Sequence, residues 1–413
     1  MSKASIIGAY NTEFGAFVRK DKGSGLLTDT KTFYDLLIEA GRGAIADAGI
    51  EAKDIDAIYV GSCSPASFLN QEHVAPIAAE IDPSLRFKPM TRCECACASS
   101  SVALYNAIYA VEAGRARHAL VIGIEKMNLL PTPQVTHVLA CCSHWPSEGA
   151  VGQTFPMLFA AYAEGYRQQY RIPASKLERM LMATAALCYR NGAENPLAHV
   201  RNGPKSIEEI MKLNELDERG RCKNMMVAEP LRLHDCSLIS DGAAALMITR
   251  TDNVTNRRRA VEIAGIGHSV ERLPENVRPN MHELMAGKDA AAKAYKEAGI
   301  KVGDIDLVEV HDCFTINQIL STEALGLADD GRAGYDYLDG RFTRDDRAAV
   351  NLSGGLKSKG HPVGATGASM HALIYKQLIG EPIGVKAKKA DIGVAYNVGG
   401  SAVTNCVSVL RKL

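Results

Sequence analysis

The chain contains an internal repeat whose two copies lie 250 residues apart. The first copy, residues 44–64, reads AIADAGIEAKDIDAIYVGSCS, and the second, residues 292–314, reads AKAYKEAGIKVGDIDLVEVHDCF. In each copy an alanine-rich amphipathic helix ends at a glycine, an Asp-Ile-Asp turn follows, and an apolar run comes next. Cys63 and Cys313 occupy equivalent positions after that run. This duplication predicts two halves with the same fold.

Strands and helices alternate along both halves. The predicted strands are residues 5–9, 57–60, 118–124, 261–267, 307–310 and 391–395, and helices are predicted at residues 100–111 and 367–378. Such alternation predicts a mostly parallel sheet in each half. We therefore predict an α/β fold with one half at residues 1–255 and the other at residues 256–413.

A long and less regular block, about residues 126–233, separates the two patterns. It contains the single tryptophan of the chain, Trp145, and the aromatic stretch TFPMLFAAYAEGY. We expect an insertion that covers one end of the first half. Insertions at the ends of strands often form the walls of substrate pockets.

Composition excludes several classes of function. The 413 residues carry a formal net charge of zero, so no global charge favours binding to nucleic acid or to an acidic membrane surface. The chain has no apolar run long enough for a membrane-spanning helix. Eleven cysteines without a secretory signal predict reduced thiols in the cytoplasm.

The densest group of cysteines is CECACASSS, residues 93–101. Its one-residue gaps lack a matching second pair, and a strand would spread the three sulfurs over about 13 Å, so we predict no metal site. Cys97 directly precedes a predicted helix, whose N-terminus favours the thiolate form. A cysteine buried in a core is the alternative interpretation of Cys97.

Three further motifs carry polar groups at strand ends or glycine-rich turns. HDCFT, residues 311–315, follows a predicted strand and directs His311 and Cys313 into the same space. NLSGGLKSKGHPVGATG, residues 351–367, places His361 on a turn before a helix, and YNVGGSA, residues 396–402, offers backbone N–H groups for an oxyanion. A thiol beside an imidazole is the usual arrangement for nucleophilic catalysis.

Together, Cys-Ala-Ser before a helix, His-Asp-Cys-Phe and Gly-His-Pro-x-Gly-Ala-Thr-Gly resemble the motifs of the thiolases, specifically the sterol-carrier-protein-type branch. SDGAAALMI, residues 240–248, is similar to the thiolase strand that closes the first half. The resemblance covers essentially the whole chain. It implies the thiolase fold, in which two βαβαβαββ halves form a layered α/β/α/β/α core with an insertion in the first half.

The resemblance also implies roles for the matching residues. Cys97 would be the nucleophile that becomes acylated, and His361 would take its proton and help to bind the thioester oxygen. Cys313 would be the second acid/base. His311 would replace the asparagine that helps to build one oxyanion hole in the commoner thiolases, and the N–H groups of Gly399 and Cys97 would form the other.

Further residues would contact substrate or CoA, and these are Ser237 at the pantetheine arm, Gly360 and Gly400. The sequence departs from the commoner thiolases in two places. Their second catalytic cysteine belongs to a Cys-x-Gly motif, which reads Asn397-Val398-Gly399 here, so Cys313 would substitute for it. The glycine that usually follows Cys-Ala-Ser is Ser100.

The implied activity is CoA-dependent cleavage of a 3-ketoacyl-CoA, or the reverse Claisen condensation, through an acyl-cysteine. The substrate stays open between an aryl-substituted compound such as benzoylsuccinyl-CoA and acetoacetyl-CoA. A non-catalytic acyl-CoA-binding subunit is the alternative outside enzymes, whereas Cys313 speaks against a condensing synthase. We expect CoA as substrate without a bound cofactor, a homodimeric core, and a small zinc-ribbon, oligonucleotide-fold partner subunit.

Overall fold

A computed structural model describes residues 3–21 and 23–413 of the protein. The strands in these residues are β1 (Ala4–Asn11), β2 (Val18–Lys20), β3 (Leu27–Asp29), β4 (Ala57–Gly61), β5 (Met90–Cys93), β6 (His118–Glu125), β7 (Met226–Ala228), β8 (Leu231–Arg232), β9 (Gly242–Arg250), β10 (Val261–Val270), β11 (Leu307–Val310), β12 (Ala349–Val350), β13 (Ile392–Gly399) and β14 (Thr404–Lys412). The pairs β2–β3 and β7–β8 form small separate hairpins. The remaining strands form one sheet.

The same residues contain the following α-helices. They are α1 (Phe33–Ala48), α2 (Pro65–Leu69), α3 (Ser99–Glu112), α4 (Thr132–Ala140), α5 (Phe155–Gln169), α6 (Ala174–Glu194), α7 (Ile207–Lys212), α8 (Met285–Ala298), α9 (Thr315–Ala324), α10 (Ala333–Leu338), α11 (Gly355–Ser358) and α12 (Thr366–Leu378). In the described part of the chain, none of these helices combines the length and apolar character needed to cross a membrane.

The order of strands in the sheet confirms the duplication. From one edge to the other the order is β12-β11-β13-β14-β10-β1-β9-β6-β4-β5. The first half, read from the centre of the sheet to its edge, has the order β1-β9-β6-β4-β5, and the second half has the order β10-β14-β13-β11-β12. In both halves the first strand of the five in the chain lies at the centre, the last lies next to it, and the other three follow in the same arrangement. The halves join through a short antiparallel contact in which Ser5 pairs with Glu262 and Ile6 with Val261.

In each half of the fold, two of the four strand pairings are antiparallel. In the first half β4 runs parallel to β5 and β6, but β9 runs antiparallel to β6 and β1. The second half repeats this pattern, with β14 antiparallel to β13 and β10. The prediction of a mostly parallel sheet is therefore wrong for the last strand of each half. Residues 400–403 are too few for the crossover that a parallel β13–β14 pair would need.

The helices of the repeat lie in three layers. Helices α3 and α12 pack between the halves, while α1 covers the outer face of the first half and α8 that of the second. The phenol of Tyr105 on α3 donates to the carbonyl of Val407 on β14 over 3.0 Å. Ser100 accepts a 2.9 Å bond from the N–H of Ala368 on α12. These contacts give the α/β/α/β/α layering that the resemblance implies.

Glycines end the repeated helices as the sequence predicts. Gly49 caps the C-terminus of α1 with φ +64°, and Gly299 caps that of α8 with φ +67°. Both conformations are left-handed and strain a residue that has a Cβ atom.

The insertion packs differently from the expectation. Helix α4 lies against α2 of the first half, whereas α5 and α6 pack on α9, α10 and α11 of the second half. Phe159 of α5 stacks on Phe314 with ring centroids 4.7 Å apart. The phenol of Tyr166 donates to Glu323 over 2.6 Å. The apolar side chains of α5 and α6 thus complete the core of the second half, which the sequence order could not reveal.

Candidate active site

The candidate site lies at the carboxyl ends of the parallel strands of both halves. Cys97 follows β5, His311 and Cys313 follow β11, the loop that carries His361 follows β12, and Gly400 follows β13. Ligands of α/β proteins commonly bind at this edge of the sheet because the loops there converge. The duplication brings the two sets of loops face to face.

A tight turn holds Cys97 two residues before α3. Ala96 has φ +49°, an uncommon conformation for a residue with a side chain. Its N–H donates to Glu94 over 2.6 Å, and its carbonyl accepts from the hydroxyl of Ser99 over 2.6 Å. Strand β5 has already ended at Cys93, so the cysteines do not share one strand face. Glu94 is exposed, and its carboxylate stabilises the turn by accepting the hydrogen bond from Ala96.

The structure brings the predicted thiol and imidazoles together. The Sγ of Cys97 and one ring nitrogen each of His311 and His361 lie within 4.8 Å of one another, and all three residues are buried. The two imidazoles pack edge to face, with centroids 5.0 Å apart and an interplanar angle of 82°. Cys313 lines the same cavity as Cys97 and His361.

Hydrogen bonds orient the ring of His361. Its Nδ1 lies 2.7 Å from the Oγ1 of Thr366, and that hydroxyl donates to the carbonyl of Pro362 over 3.0 Å. The backbone N–H of His361 donates to Ser240 over 3.2 Å. Burial, with a smaller contribution from Lys359, lowers the pKa of His361 to about 3, so the ring is neutral at physiological pH.

A second set of hydrogen bonds orients His311. The Nδ2 of Asn397 lies 3.0 Å from the Nδ1 of His311, while the Oδ1 of Asn397 accepts from the hydroxyl of Ser101 over 2.8 Å. Burial, followed by the neighbouring His361, lowers the pKa of His311 well below its usual range. Asn397 is a residue that sequence reasoning missed, because only the backbone of its motif was considered.

Burial favours the neutral form of both thiols in the candidate site. Burial raises the pKa of Cys97, and Cys142 adds to the effect, although the backbone N–H groups of Gly400 and of Cys97 itself oppose it. Burial also raises the pKa of Cys313. The expectation that the helix N-terminus would favour a thiolate is therefore wrong for the free protein, since desolvation outweighs the backbone donors.

The predicted glycines take different positions around the nucleophile. A Cβ atom on Gly399 would lie 2.3 Å from the carbonyl oxygen of Cys95, so only glycine fits against the turn. Gly400, with φ +65°, supplies the N–H that faces the Sγ of Cys97. Gly360 has φ +113° and packs on Ser240, where a Cβ atom would lie 2.7 Å from Oγ. Gly360 is not among the cavity-lining residues.

A cavity of about 250 Å³ opens at these groups. Its lining is mostly apolar, contains no Asp, Glu, Lys or Arg, and includes Ser237, whose N–H donates to the carbonyl of Cys313 over 2.8 Å. The insertion forms one wall, as predicted, through Thr132, Thr136, Leu139, Cys142, Phe155 and Pro156. Trp145 lies outside the cavity, is 42% exposed and packs edge to face on His137.

Glu125 connects the loops on either side of Cys97. Its carboxylate accepts from the N–H of Cys63 over 2.6 Å and from the N–H of Gly364 over 3.1 Å. Burial raises its pKa to about 7 despite these bonds. Sequence reasoning missed Glu125, although an acidic residue at the end of the apolar strand HALVIGIE was an available signal.

The fold and the arrangement of thiols and imidazoles define the class of protein. The family model "Thiolase, N-terminal domain" matches residues 4–252, and "Thiolase C-terminal domain-like" matches residues 267–412. The chain therefore belongs to the thiolase family.

Individual relatives narrow the comparison. The chain is 36% identical over 413 residues to the acetyl-CoA acetyltransferase of Methanothermobacter thermautotrophicus, with 100% of both chains covered. It is 29% identical over 397 residues to sterol carrier protein 2 of Rattus norvegicus, covering 91% of this chain and 68% of that one. It is 30% identical over 294 residues to the benzoylsuccinyl-CoA thiolase subunit BbsB of Thauera aromatica, covering 70% and 71%. The chain is thus an acyltransferase related to the sterol-carrier-protein-type thiolases.

A solved structure agrees on the fold. The structure described as an Ltp2-ChsH2(DUF35) aldolase aligns with a TM-score of 0.79 at 20% sequence identity, covering 99% of this chain and 98% of that chain. The human mitochondrial 3-ketoacyl-CoA thiolase in complex with CoA aligns with a TM-score of 0.68 at 17% sequence identity, covering 100% of this chain and 98% of that chain, and this likeness confirms the predicted thiolase fold.

Proposed function

We propose that the protein is an acyl-CoA thiolase that cleaves a 3-ketoacyl-CoA with CoA, or catalyses the reverse Claisen condensation, through acylation of Cys97. The observation that carries this proposal is that Cys97, Cys313 and His361 line one cavity, while a ring nitrogen of the buried His311 lies within 4.8 Å of the Cys97 thiol and of the His361 ring. Acyl transfer through a cysteine needs a nucleophile, a base for its proton and an oxyanion site. These side chains provide groups for each task.

The cleavage reaction follows from the positions of these groups. His361 takes the proton of Cys97, and the thiolate attacks the keto carbon of the substrate. The bond between the α and β carbons then breaks, leaving an acyl-Cys97 thioester and the enolate of acetyl-CoA, which Cys313 protonates. The thiol of CoA next gives up its proton to the Cys313 thiolate and attacks the thioester. The products are acetyl-CoA and a shortened acyl-CoA, with Cys97 and His361 restored.

Backbone donors supply one of the two oxyanion sites. The N–H groups of Gly400 and Cys97 converge on the Sγ of Cys97, which supports a role for Gly400 beside the predicted Gly399. We assign the second site to the Nε2–H of His311. Neutral donors fixed in a mostly apolar cavity stabilise developing negative charge without reorganisation.

The lining of the cavity favours an uncharged acyl group. A carboxylate on the acyl chain, as in benzoylsuccinyl-CoA, would be buried without a charged partner on the lining, at considerable cost. Lys357 lies behind Cys236, but its ammonium group already donates to the carbonyls of Leu233 and Cys236. We therefore favour an uncharged 3-ketoacyl-CoA, with acetoacetyl-CoA as one candidate, over benzoylsuccinyl-CoA.

Two relatives support a partner subunit. The solved neighbour is described as an Ltp2-ChsH2(DUF35) aldolase, and the Thauera relative is described as a subunit. We propose a homodimeric core that works in the cytoplasm with a small zinc-ribbon, oligonucleotide-fold subunit, with CoA as substrate and no resident cofactor. The division of the chain near residue 255, with the insertion at about residues 126–233, remains part of this proposal.

Thiolysis of a panel of 3-ketoacyl-CoAs tests the proposal. The panel contains acetoacetyl-CoA, longer apolar chains, an uncharged aryl compound and benzoylsuccinyl-CoA, each assayed with and without proteins that copurify with the chain. We expect cleavage of the uncharged substrates, together with an acyl group on the peptide that contains Cys97. Inactivity on every substrate with the partner present would instead favour the non-catalytic acyl-CoA-binding subunit.

A further inference from the structure

The two imidazoles of the site need opposite properties. His361 must offer a lone pair to receive the proton of Cys97, whereas His311 must offer an N–H to an oxyanion. A neutral imidazole carries only one N–H, so each ring must adopt the tautomer that suits its task. Both rings are buried and neutral, and each has its Nδ1 in contact with a polar side chain.

Thr366 selects the tautomer of His361. The Oγ1 of Thr366 lies 3.0 Å from the carbonyl oxygen of Pro362 and 2.7 Å from the Nδ1 of His361. The carbonyl oxygen of Pro362 can only accept a hydrogen bond, so the hydroxyl of Thr366 uses its single proton to donate to it. The contact with His361 then requires a proton on Nδ1. The Nε2 of His361 is left with a free lone pair.

Asn397 selects the other tautomer for His311. Its Oδ1 is occupied by the hydroxyl of Ser101 at 2.8 Å, so its Nδ2 faces the Nδ1 of His311 at 3.0 Å. An amide nitrogen only donates, so the Nδ1 of His311 must accept and its proton must reside on Nε2. Asn397 and Ser101 are buried, and they come from β13 and α3, on opposite halves of the duplicated fold.

We propose that Thr366 and Asn397 are positioning residues that hold His361 and His311 in opposite tautomers, which makes one ring a proton acceptor and the other a hydrogen-bond donor. The assignment rests on the proposed thiolase function and deepens it. Neither residue is among those lining the cavity, so each acts through the imidazole that it contacts.

Nitrogen-15 NMR of histidine-labelled protein tests the tautomers directly. Signals of His311 and His361 are assigned by comparison with His311→Gln and His361→Gln proteins. In the unmodified protein we expect Nδ1 of His361 and Nε2 of His311 to have the shifts of protonated nitrogens, and their ring partners to have those of unprotonated nitrogens. A protonated Nδ1 on His311, or a protonated Nε2 on His361, would overturn the proposal. This test needs no substitution at Thr366 or Asn397.

Substitutions add a functional measurement. Asn397→Asp offers only acceptors, so it should move the Nδ1 signal of His311 to the protonated range and leave His361 unchanged. Thr366→Val should lower kcat about 10- to 100-fold with KM nearly constant, whereas Thr366→Ser should remain near the original kcat because it keeps the hydroxyl. Equal losses in the valine and serine proteins would contradict the role of Thr366.

The two sets of measurements separate this inference from the proposed function. If the rings have opposite tautomers but the protein cleaves no 3-ketoacyl-CoA, the inference about the rings stands and the thiolase reaction is wrong. Thiolysis by a protein whose rings share one tautomer would retain the function and reject the roles of Thr366 and Asn397.

Discussion

The backbone N–H of Gly400 faces the Sγ of Cys97 across the junction of the two halves. Gly400 follows β13 of the second half, and Cys97 follows β5 of the first. The preceding residue, Gly399, packs so closely on the carbonyl of Cys95 that no side chain fits. The position of the nucleophile therefore depends on contact between segments that are about 300 residues apart in the chain.

Replacing Gly399 with alanine should displace the turn that carries Cys97. The added Cβ atom would lie 2.3 Å from the carbonyl oxygen of Cys95 and 3.1 Å from the Cβ of Ala98. We expect kcat to fall at least about 100-fold and the free energy of unfolding to fall by about 1–3 kcal/mol. Steady-state kinetics and urea unfolding measure these changes. Gly303→Ala is the matched control, because no atom lies within 4 Å of its added Cβ.

The two cysteines should separate into different half-reactions. Cys97→Ala removes the nucleophile, so we expect no acylation by acyl-CoA but continued exchange of the α-protons of acetyl-CoA in heavy water, catalysed by Cys313. Cys313→Ala should show the reverse, with acylation of Cys97 retained and exchange lost. Mass spectrometry of the labelled peptide and proton NMR of acetyl-CoA measure the two steps. Loss of both steps in both proteins would argue against separate roles.

Glu125 should make stability depend on pH between about 4.5 and 7. Burial raises its folded-state pKa to about 7 from an ordinary value of 4.5, so the folded protein holds this proton more tightly than the unfolded chain. Its contribution is fully present below pH 4.5 and is lost as pH rises through 7, amounting to about 3 kcal/mol. Urea unfolding at pH 5 and pH 8 measures the loss of the free energy of unfolding between these pH values. In Glu125→Gln this loss should be smaller by the contribution of Glu125. An identical pH dependence in both proteins would contradict the assignment to Glu125.

A buried ion pair should hold one wall of the cavity. The Nζ of Lys126 lies 3.1 Å from Asp241, and both side chains are fully buried. The same carboxylate accepts from the N–H of Met127, a residue that lines the cavity, over 2.7 Å. Lys126→Met leaves Asp241 without this cation, and we expect the free energy of unfolding to fall by about 3–5 kcal/mol.

The exposed pair Lys53–Glu51 provides the control for that measurement. Its members are 63% and 70% exposed, so Lys53→Met should leave the free energy of unfolding nearly unchanged, because solvent screens an exposed ion pair. A loss for Lys126→Met as small as that for Lys53→Met would show that Asp241 is satisfied by its other donors. These include the N–H groups of Met127 and Asn128 and the side-chain amide of Asn128.

The positions of individual strands and helices could be predicted from patterns of neighbouring residues. The predicted strand at residues 307–310 coincides with β11, and the helix predicted at residues 100–111 lies within α3. Apolar periodicity and terminal glycines are carried by neighbouring residues, so the sequence alone was sufficient to place them. The antiparallel direction of β9 was not predictable in this way, because it depends on where the chain returns after the insertion.

The sequence by itself determined the duplication and predicted both the thiolase fold and the candidate site residues Cys97, His311, Cys313 and His361, because these reside in repeats and short motifs. Only the tertiary structure decided their chemical state. Burial makes Cys97 a neutral thiol although it precedes a helix, since desolvation depends on surrounding atoms from both halves. The hydrogen bond from Asn397 to His311 likewise joins residues 86 positions apart. Protonation and orientation depend on such distant contacts, which no local pattern encodes.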